Sequence, residues 1–178
     1  MRWSRAGLFL ATVIMIADPA RAVAQGQDLV IPQGYAVGLT GDLWIFAVNR
    51  GYATPMATLR LSGLHRGGIT PEFAVGVAPL VALESAVLVQ PDLDLAYNIA
   101  LPGMSLLLAA GVSAVLQPEA GSLGRILGGN IGLSALAWTA EGHGVRVNGA
   151  FRPLFDSGGM IPTFSFGLGI TTLPKGGR

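Results

Sequence analysis

Two aspartates separated by a single leucine are the residues whose type and spacing most resemble a chemical site. They are Asp92 and Asp94, in the stretch QPDLDLAYNIALPG that covers residues 90–103. A D-x-D pattern is typical of metal-dependent glycosyltransferases, but there it lies on a loop beside a nucleotide-binding fold, and this sequence shows no such fold. On a β-strand the two carboxylates would share one face, roughly 7 Å apart. A metal bound there would need further oxygen ligands, so we predict no metal site.

The two histidines, His65 and His143, are the next candidates, and both lie in turns flanked by glycine. A barrel enzyme that acts on lipids would need a serine–histidine pair with an acid within hydrogen-bond reach. Its catalytic atoms should face the outer leaflet, whereas both histidines fall at the opposite predicted end. We therefore expect no catalytic residues and no enzymatic activity.

Glycines cluster in GSLGRILGGNIG, residues 121–132, without the lysine of a P-loop or the strand-then-helix context of a dinucleotide site. The chain has no cysteine, which excludes thiolate chemistry and disulfides. Its net charge of +1 and the lack of a basic run argue against nucleic acid as a partner. We expect no cofactor.

Composition points to a membrane setting. Of 178 residues, 51% are hydrophobic and 12% are charged, the latter about half the usual share of a soluble domain. The N-terminus carries Arg2 and Arg5, then an apolar stretch from Gly7 to Ala17 that is too short to span a bilayer, then Ala22-Val23-Ala24. This order is typical of a cleaved signal peptide. We predict a signal peptide over residues 1–24 and a single domain over residues 25–178.

The rest of the chain alternates with a period of two residues, which predicts β-strands. The longest apolar runs contain Pro79 and Glu84 or Pro102-Gly103, and 26 glycines are spread along the chain, so membrane-spanning helices are disfavoured. One face of each segment is bulky and apolar, and the other is small or polar. The bulky face is predicted to contact lipid at Leu93, Leu95, Tyr97, Ile99, Phe164, Phe166, Leu168 and Ile170.

Turn signals divide the chain into eight segments, each long enough to cross the hydrocarbon as a tilted strand. They cover residues 34–47, 55–65, 69–79, 86–101, 104–117, 129–140, 144–156 and 161–173. Because every backbone polar group must be paired in lipid, the sheet must close. We predict an all-β, eight-stranded, antiparallel up-and-down transmembrane β-barrel with a filled lumen. Alternation is weakest in the first, fifth and sixth segments, whose registers stay open.

Six charged side chains fall on the small, polar faces: Arg60, Glu72, Asp92, Asp94, Arg146 and Arg152. Unpaired charges in a low-dielectric lumen would cost several kcal/mol, so we expect the three arginines to neutralise the three acids. The two aspartates of the D-x-D pattern are thus interpreted as part of a charge network. Six aromatic residues near strand ends are predicted to form interfacial girdles: Tyr35, Tyr52, Tyr97, Trp138, Phe155 and Phe164.

With a signal peptide, alternating segments and a final strand IPTFSFGLGITTL, the chain resembles the small eight-stranded bacterial outer-membrane barrels, the OmpA/OmpX-like class. The resemblance covers residues 34–173 and implies residence in the outer membrane, contact with its lipids and lipopolysaccharide, and recognition by the barrel-assembly machinery. Such barrels commonly end on an aromatic residue, whereas this chain ends in LPKGGR.

Eight strands would place both chain termini in the periplasm and residues 118–128 in the longest outer loop. Arg125, in that loop, is a candidate for contact with lipid phosphate. The expected role is structural or interactive, with no specific protein partner identified. The alternatives are a small-solute channel, a lipid-acting barrel enzyme and a soluble lipocalin-like carrier.

Overall fold

The computed structural model describes residues 33–47, 52–65, 68–80, 86–101, 103–119, 122–139 and 141–173. The predicted signal peptide lies outside these residues. The described chain forms eight β-strands: β1 (Gly34–Phe46), β2 (Tyr52–Leu64), β3 (Gly68–Leu80), β4 (Ala86–Leu101), β5 (Met104–Glu119), β6 (Ser122–Trp138), β7 (His143–Asp156) and β8 (Gly159–Thr172).

Each strand pairs antiparallel with the next, and β1 pairs with β8 to close the barrel. The closing ladder runs from Val37 opposite Thr172 to Phe46 opposite Thr163. Closure gives each of the eight described strands two hydrogen-bonded neighbours, so none of them is an edge strand. The predicted eight-stranded up-and-down β-barrel is confirmed. Among the described residues, no helix is long and apolar enough to cross a membrane.

Alternation along each strand sends one set of side chains inward and the other outward. The open registers follow the same rule, since Leu107 on β5 and Leu136 on β6 are buried inside the barrel. Two ends can be distinguished. The terminal end is where β1 begins and β8 finishes, and the hairpin end is the opposite one.

The predicted long outer loop at residues 118–128 is wrong, because β5 continues to Glu119 and β6 begins at Ser122. Glycine within a strand often marks a position where another backbone approaches closely. Gly128 lies in β6 opposite Leu154, and a Cβ atom at this position would overlap the carbonyl oxygen of Pro153. Glycine is therefore used here for close approach of two strands, not for a turn.

Candidate functional site

The barrel interior has an apolar cluster near each end. At the terminal end the cluster, here called the terminal cluster, contains Ala36, Leu64, Ala96, Leu107, Leu136 and Trp138. At the hairpin end the hairpin cluster contains Trp44, Met56, Ala78, Leu88, Val115 and Leu154. The side chains between the two clusters are mainly polar or charged, so the lumen is built in three layers.

The middle layer holds buried arginines and carboxylates in direct contact. Arg60 lies 3.1 Å from Asp42 and 3.4 Å from Glu72, measured from guanidinium nitrogen to carboxylate oxygen. Arg146 contacts the same Glu72 at 2.7 Å and donates a further hydrogen bond to Ser134. Glu72 therefore bridges two guanidinium groups that would otherwise repel each other.

A second contact joins Arg152 to Asp92, again at 2.7 Å between nitrogen and oxygen. Arg152 also donates a hydrogen bond to Ser165 at 2.6 Å, and its guanidinium carbon lies 4.5 Å from the ring centroid of Trp44. Because Trp44 belongs to the hairpin cluster, Arg152 connects the charged layer to the apolar layer above it through a cation–π contact.

Asp94 differs from the other lumen carboxylates. One of its oxygens accepts a hydrogen bond of 2.7 Å from the amide of Asn130, and its Oδ1 has no hydrogen-bond partner among the described residues. We expected an arginine to neutralise it, but no described arginine forms a salt bridge with Asp94. Within the described part of the chain, no group of three or more acidic or histidine side chains could hold a metal ion.

Glycines let two carboxylates reach across a strand. Asp94, Gly111 and Asn130 occupy one row on β4, β5 and β6, and Asp94 contacts Asn130 over the missing side chain of Gly111. A Cβ atom at Gly111 would overlap Oδ1 of Asp94. The same arrangement recurs on β1, β8 and β7, where Asp42 spans Gly167 to accept a hydrogen bond from Asn148 at 3.2 Å.

Asp42 was missed as a member of the lumen network. It accepts hydrogen bonds from Thr58 at 2.6 Å and from Arg60 at 3.1 Å. The available signal was alternation, since Ala36, Gly38, Thr40 and Asp42 follow one another on a small, polar face of the first segment. The expected balance of three acids and three arginines is therefore incomplete, because the described lumen contains four carboxylates.

Space between these side chains is small. A cavity of about 10 Å³ lies among Arg60, Glu72, Asp94, Asn130, Asn148 and Arg152, together with smaller residues. This volume is near the minimum that can hold one water molecule.

The outward side of the barrel is a belt of exposed apolar side chains. All eight residues predicted to contact lipid lie on this side, with exposed fractions from 38% at Ile99 to 65% at Ile170. Soluble monomers rarely expose such a large continuous apolar surface.

Comparison with solved structures identifies other proteins with this barrel. Neisserial surface protein A (NspA) matches with a TM-score of 0.63 at 7% identity, over 79% of this chain and 97% of that one. The N-terminal β-barrel domain of Pseudomonas aeruginosa OprF matches with a TM-score of 0.51 at 13% identity, and Ail, the attachment invasion locus protein of Yersinia pestis, with 0.53 at 9%. Both alignments cover 79% of this chain and 98% of the other.

This chain has the fold of a small outer-membrane β-barrel. At such low identities the likeness establishes the fold and not a shared activity. No protein-family model matches the sequence. A search of curated proteins also finds no match.

In this outer-membrane barrel fold both histidines lie at the terminal end. The Nδ1 atom of His143 is 3.1 Å from the hydroxyl oxygen of Thr172, and both residues are on the outside of the barrel. Among the described residues, no carboxylate is hydrogen-bonded to the His143 ring. His65 accepts a hydrogen bond from Asn98 through its backbone carbonyl.

One of the six predicted girdle residues is wrong. Trp138 is only 1% exposed and belongs to the terminal cluster, because the register of β6 directs it inward. Tyr35 at the terminal end and Phe155 at the hairpin end are 60% and 54% exposed, as residues of the outer wall. Tyr97 and Phe164 also face outward, and Tyr52 is half-buried.

Proposed function

We propose that this protein is a non-conducting barrel of a bacterial outer membrane, with a structural or interaction role. The observation that supports the proposal is an apolar cluster near each end of the lumen, with paired charges between the two clusters. An ion entering would have to pass an apolar layer without its hydration shell, which is strongly unfavourable. A porin lumen is instead wide and water-filled.

The exposed apolar belt supports a location in lipid. Leaving that surface in water would cost about 25 cal/mol per Å², whereas acyl chains can cover it without a penalty. Outer-membrane lipids and lipopolysaccharide are therefore the proposed partners. Arg125 is exposed on β6 near the hairpin end, where a cation could meet a lipid phosphate.

The proposed orientation places both chain termini in the periplasm and the β1–β2, β3–β4, β5–β6 and β7–β8 connections outside the cell. A cleaved signal peptide and the barrel-assembly machinery belong to the same proposal. The connection between β5 and β6 is only two residues long, since one strand ends at Glu119 and the next begins at Ser122. A small extracellular surface of this kind favours binding through the rim or the wall over binding through long loops.

Conductance tests the closed lumen. Purified protein refolded into a planar bilayer should give no discrete current steps, while a larger porin in the same bilayer gives them. Reproducible single-channel steps from the wild-type protein would overturn the non-conducting assignment.

Location is tested separately by fractionation combined with gel migration before and after boiling. The protein should be found with outer-membrane markers and should migrate differently once heat unfolds the barrel. Release from the envelope without detergent would contradict the membrane location and favour a soluble, lipocalin-like carrier.

A lipid-acting enzyme is the second candidate, and the contact between His143 and Thr172 is the observation that favours it. We propose that this pair is structural, because no described acid orients the imidazole as nucleophilic catalysis requires. Refolded protein should release no fatty acid from phospholipid or lipopolysaccharide vesicles. Turnover that disappears in His143→Ala would establish the enzyme instead.

A further inference from the structure

The described lumen contains one more acid than base. Its buried charged side chains are the carboxylates of Asp42, Glu72, Asp92 and Asp94 and the guanidinium groups of Arg60, Arg146 and Arg152. Three of the carboxylates lie within 3.1 Å of an arginine nitrogen at their closest salt bridge. The fourth, Asp94, forms no such contact, so the excess negative charge is located there.

The surroundings of Asp94 disfavour its ionised form. Glu72 is its register partner on β3, and Asp92 lies two residues away on the same face of β4. The side chain is 2% exposed, and the apolar clusters separate its layer from both barrel ends. Two nearby acids and little access to water both oppose a further negative charge.

No described group on the remaining strands forms a salt bridge with Asp94. Asp42 on β1 adds negative charge, while Arg60 on β2 and the β7 arginines, Arg146 and Arg152, already contact other carboxylates. The lumen-facing residues described on β5, β6 and β8 carry no titratable side chain. The hydrogen bond from Asn130 satisfies one oxygen of Asp94 and leaves the other without a donor.

We propose that Asp94 is a binding site for one proton, and that the folded barrel carries this residue as a neutral carboxylic acid. A neutral carboxyl group costs far less to bury unpaired than a carboxylate does. A metal cation fits this place less well, because the cavity beside Asp94 is about 10 Å³ and is also lined by Arg60 and Arg152. The proton instead sits on the carboxyl oxygen and brings the lumen to charge balance.

Carbon-13 NMR of labelled aspartate side chains in micelles tests the proposal directly. At about pH 5, where solvated aspartates are ionised, the wild-type spectrum should contain one protonated aspartate carboxyl signal, which disappears in Asp94→Asn. The matched control is Asp156→Asn, which removes an exposed aspartate at the hairpin end and should leave that signal in place. A wild-type spectrum with only ionised aspartates, or a protonated signal that survives Asp94→Asn, would overturn the proposal.

Stability against pH gives an independent test. The folded state holds a proton that a solvated aspartate in the unfolded chain loses above about pH 4, so wild-type stability should fall relative to that of Asp94→Asn as pH rises above about 4. Asp94→Asn mimics the neutral acid in shape and should fold normally without this loss. Failure of Asp94→Asn to fold where the wild type folds, or the same pH dependence of stability in both proteins, would contradict a proton at this site.

Discussion

Arg152 shows how a single lumen side chain is held from several directions. Asp92 binds its guanidinium group, Ser165 accepts a hydrogen bond from it, and the ring of Trp44 covers it. The buried ion pair of Arg152 and Asp92 contributes little net stability compared with a well-packed apolar pair, because both charged groups lose their hydration on folding. Its removal is costly for a different reason, which is that Asp92 would be left buried and unpaired.

Replacement of Arg152 alone should therefore be strongly destabilising. Arg152→Met is expected to lower the free energy of unfolding by about 3–5 kcal/mol, measured by urea titration in lipid vesicles. The double variant Asp92→Asn, Arg152→Met should recover a large part of that loss, since the orphaned charge is gone.

The matched control is Arg125→Met, which removes an exposed arginine and should change stability by less than about 0.5 kcal/mol. Equal effects of the two single substitutions would contradict the role given to the buried pair.

Two glycines of the barrel wall leave space for hydrogen bonds that reach across a strand. Gly111 and Gly167 each lie between an aspartate on one flanking strand and an asparagine on the other. The missing side chain creates the space through which carboxylate and amide meet. Each hydrogen bond between asparagine and aspartate therefore depends on the correct pairing of three adjacent strands.

A methyl group at one of these positions should break the contact. Gly167→Ala is expected to cost about 1–3 kcal/mol, since its Cβ atom would overlap Oδ1 of Asp42 and lie 2.8 Å from Oδ1 of Asn148. Gly41→Ala, on the outward face of β1, is the control, because the nearest atom to its Cβ would be 4.0 Å away. Unfolding midpoints that rank Gly41→Ala as the more damaging change would refute this account.

The sequence allowed prediction of the strand number and of the inward or outward direction of most side chains, because alternation is a local property. Closure was predicted from the need to pair every backbone polar group in lipid. The ends of β5 and β6 were misjudged, since a glycine-rich stretch looks alike in a loop and in a tight strand pair. The side-chain contacts inside the lumen were harder to predict from the sequence. Asp94 meets Asn130, which is 36 residues away, and that contact depends on the register of two ladders that no local pattern encodes.

The molecule as a whole reverses the usual arrangement of a soluble protein. Its apolar side chains form the outer belt and the two end clusters, while the charges occupy the centre. The cost in stability of an added charge should therefore depend on its position within the belt. A charge near the rim can reach water, and one at mid-height cannot.

An arginine in the middle of the belt tests the proposed membrane location through stability. Leu168→Arg is expected to cost about 2–4 kcal/mol in lipid vesicles, against about 0–1 kcal/mol for Tyr35→Arg near the terminal end. Leu168 is 41% exposed and Tyr35 is 60% exposed on the same outer wall. Urea unfolding of both variants in vesicles provides the measurement, and equal costs would contradict a bilayer centred on the belt.

The ladder between β1 and β8 has a consequence for the time at which the protein can form. Val37 on β1 pairs with Thr172 on β8. The first strand to be synthesised therefore gains its second partner only after the last strand has been synthesised. Until then the outer edge of β1 exposes a row of unpaired backbone groups, open to any other strand that is present. We expect the barrel to close only when residues 163–172 pair with this edge.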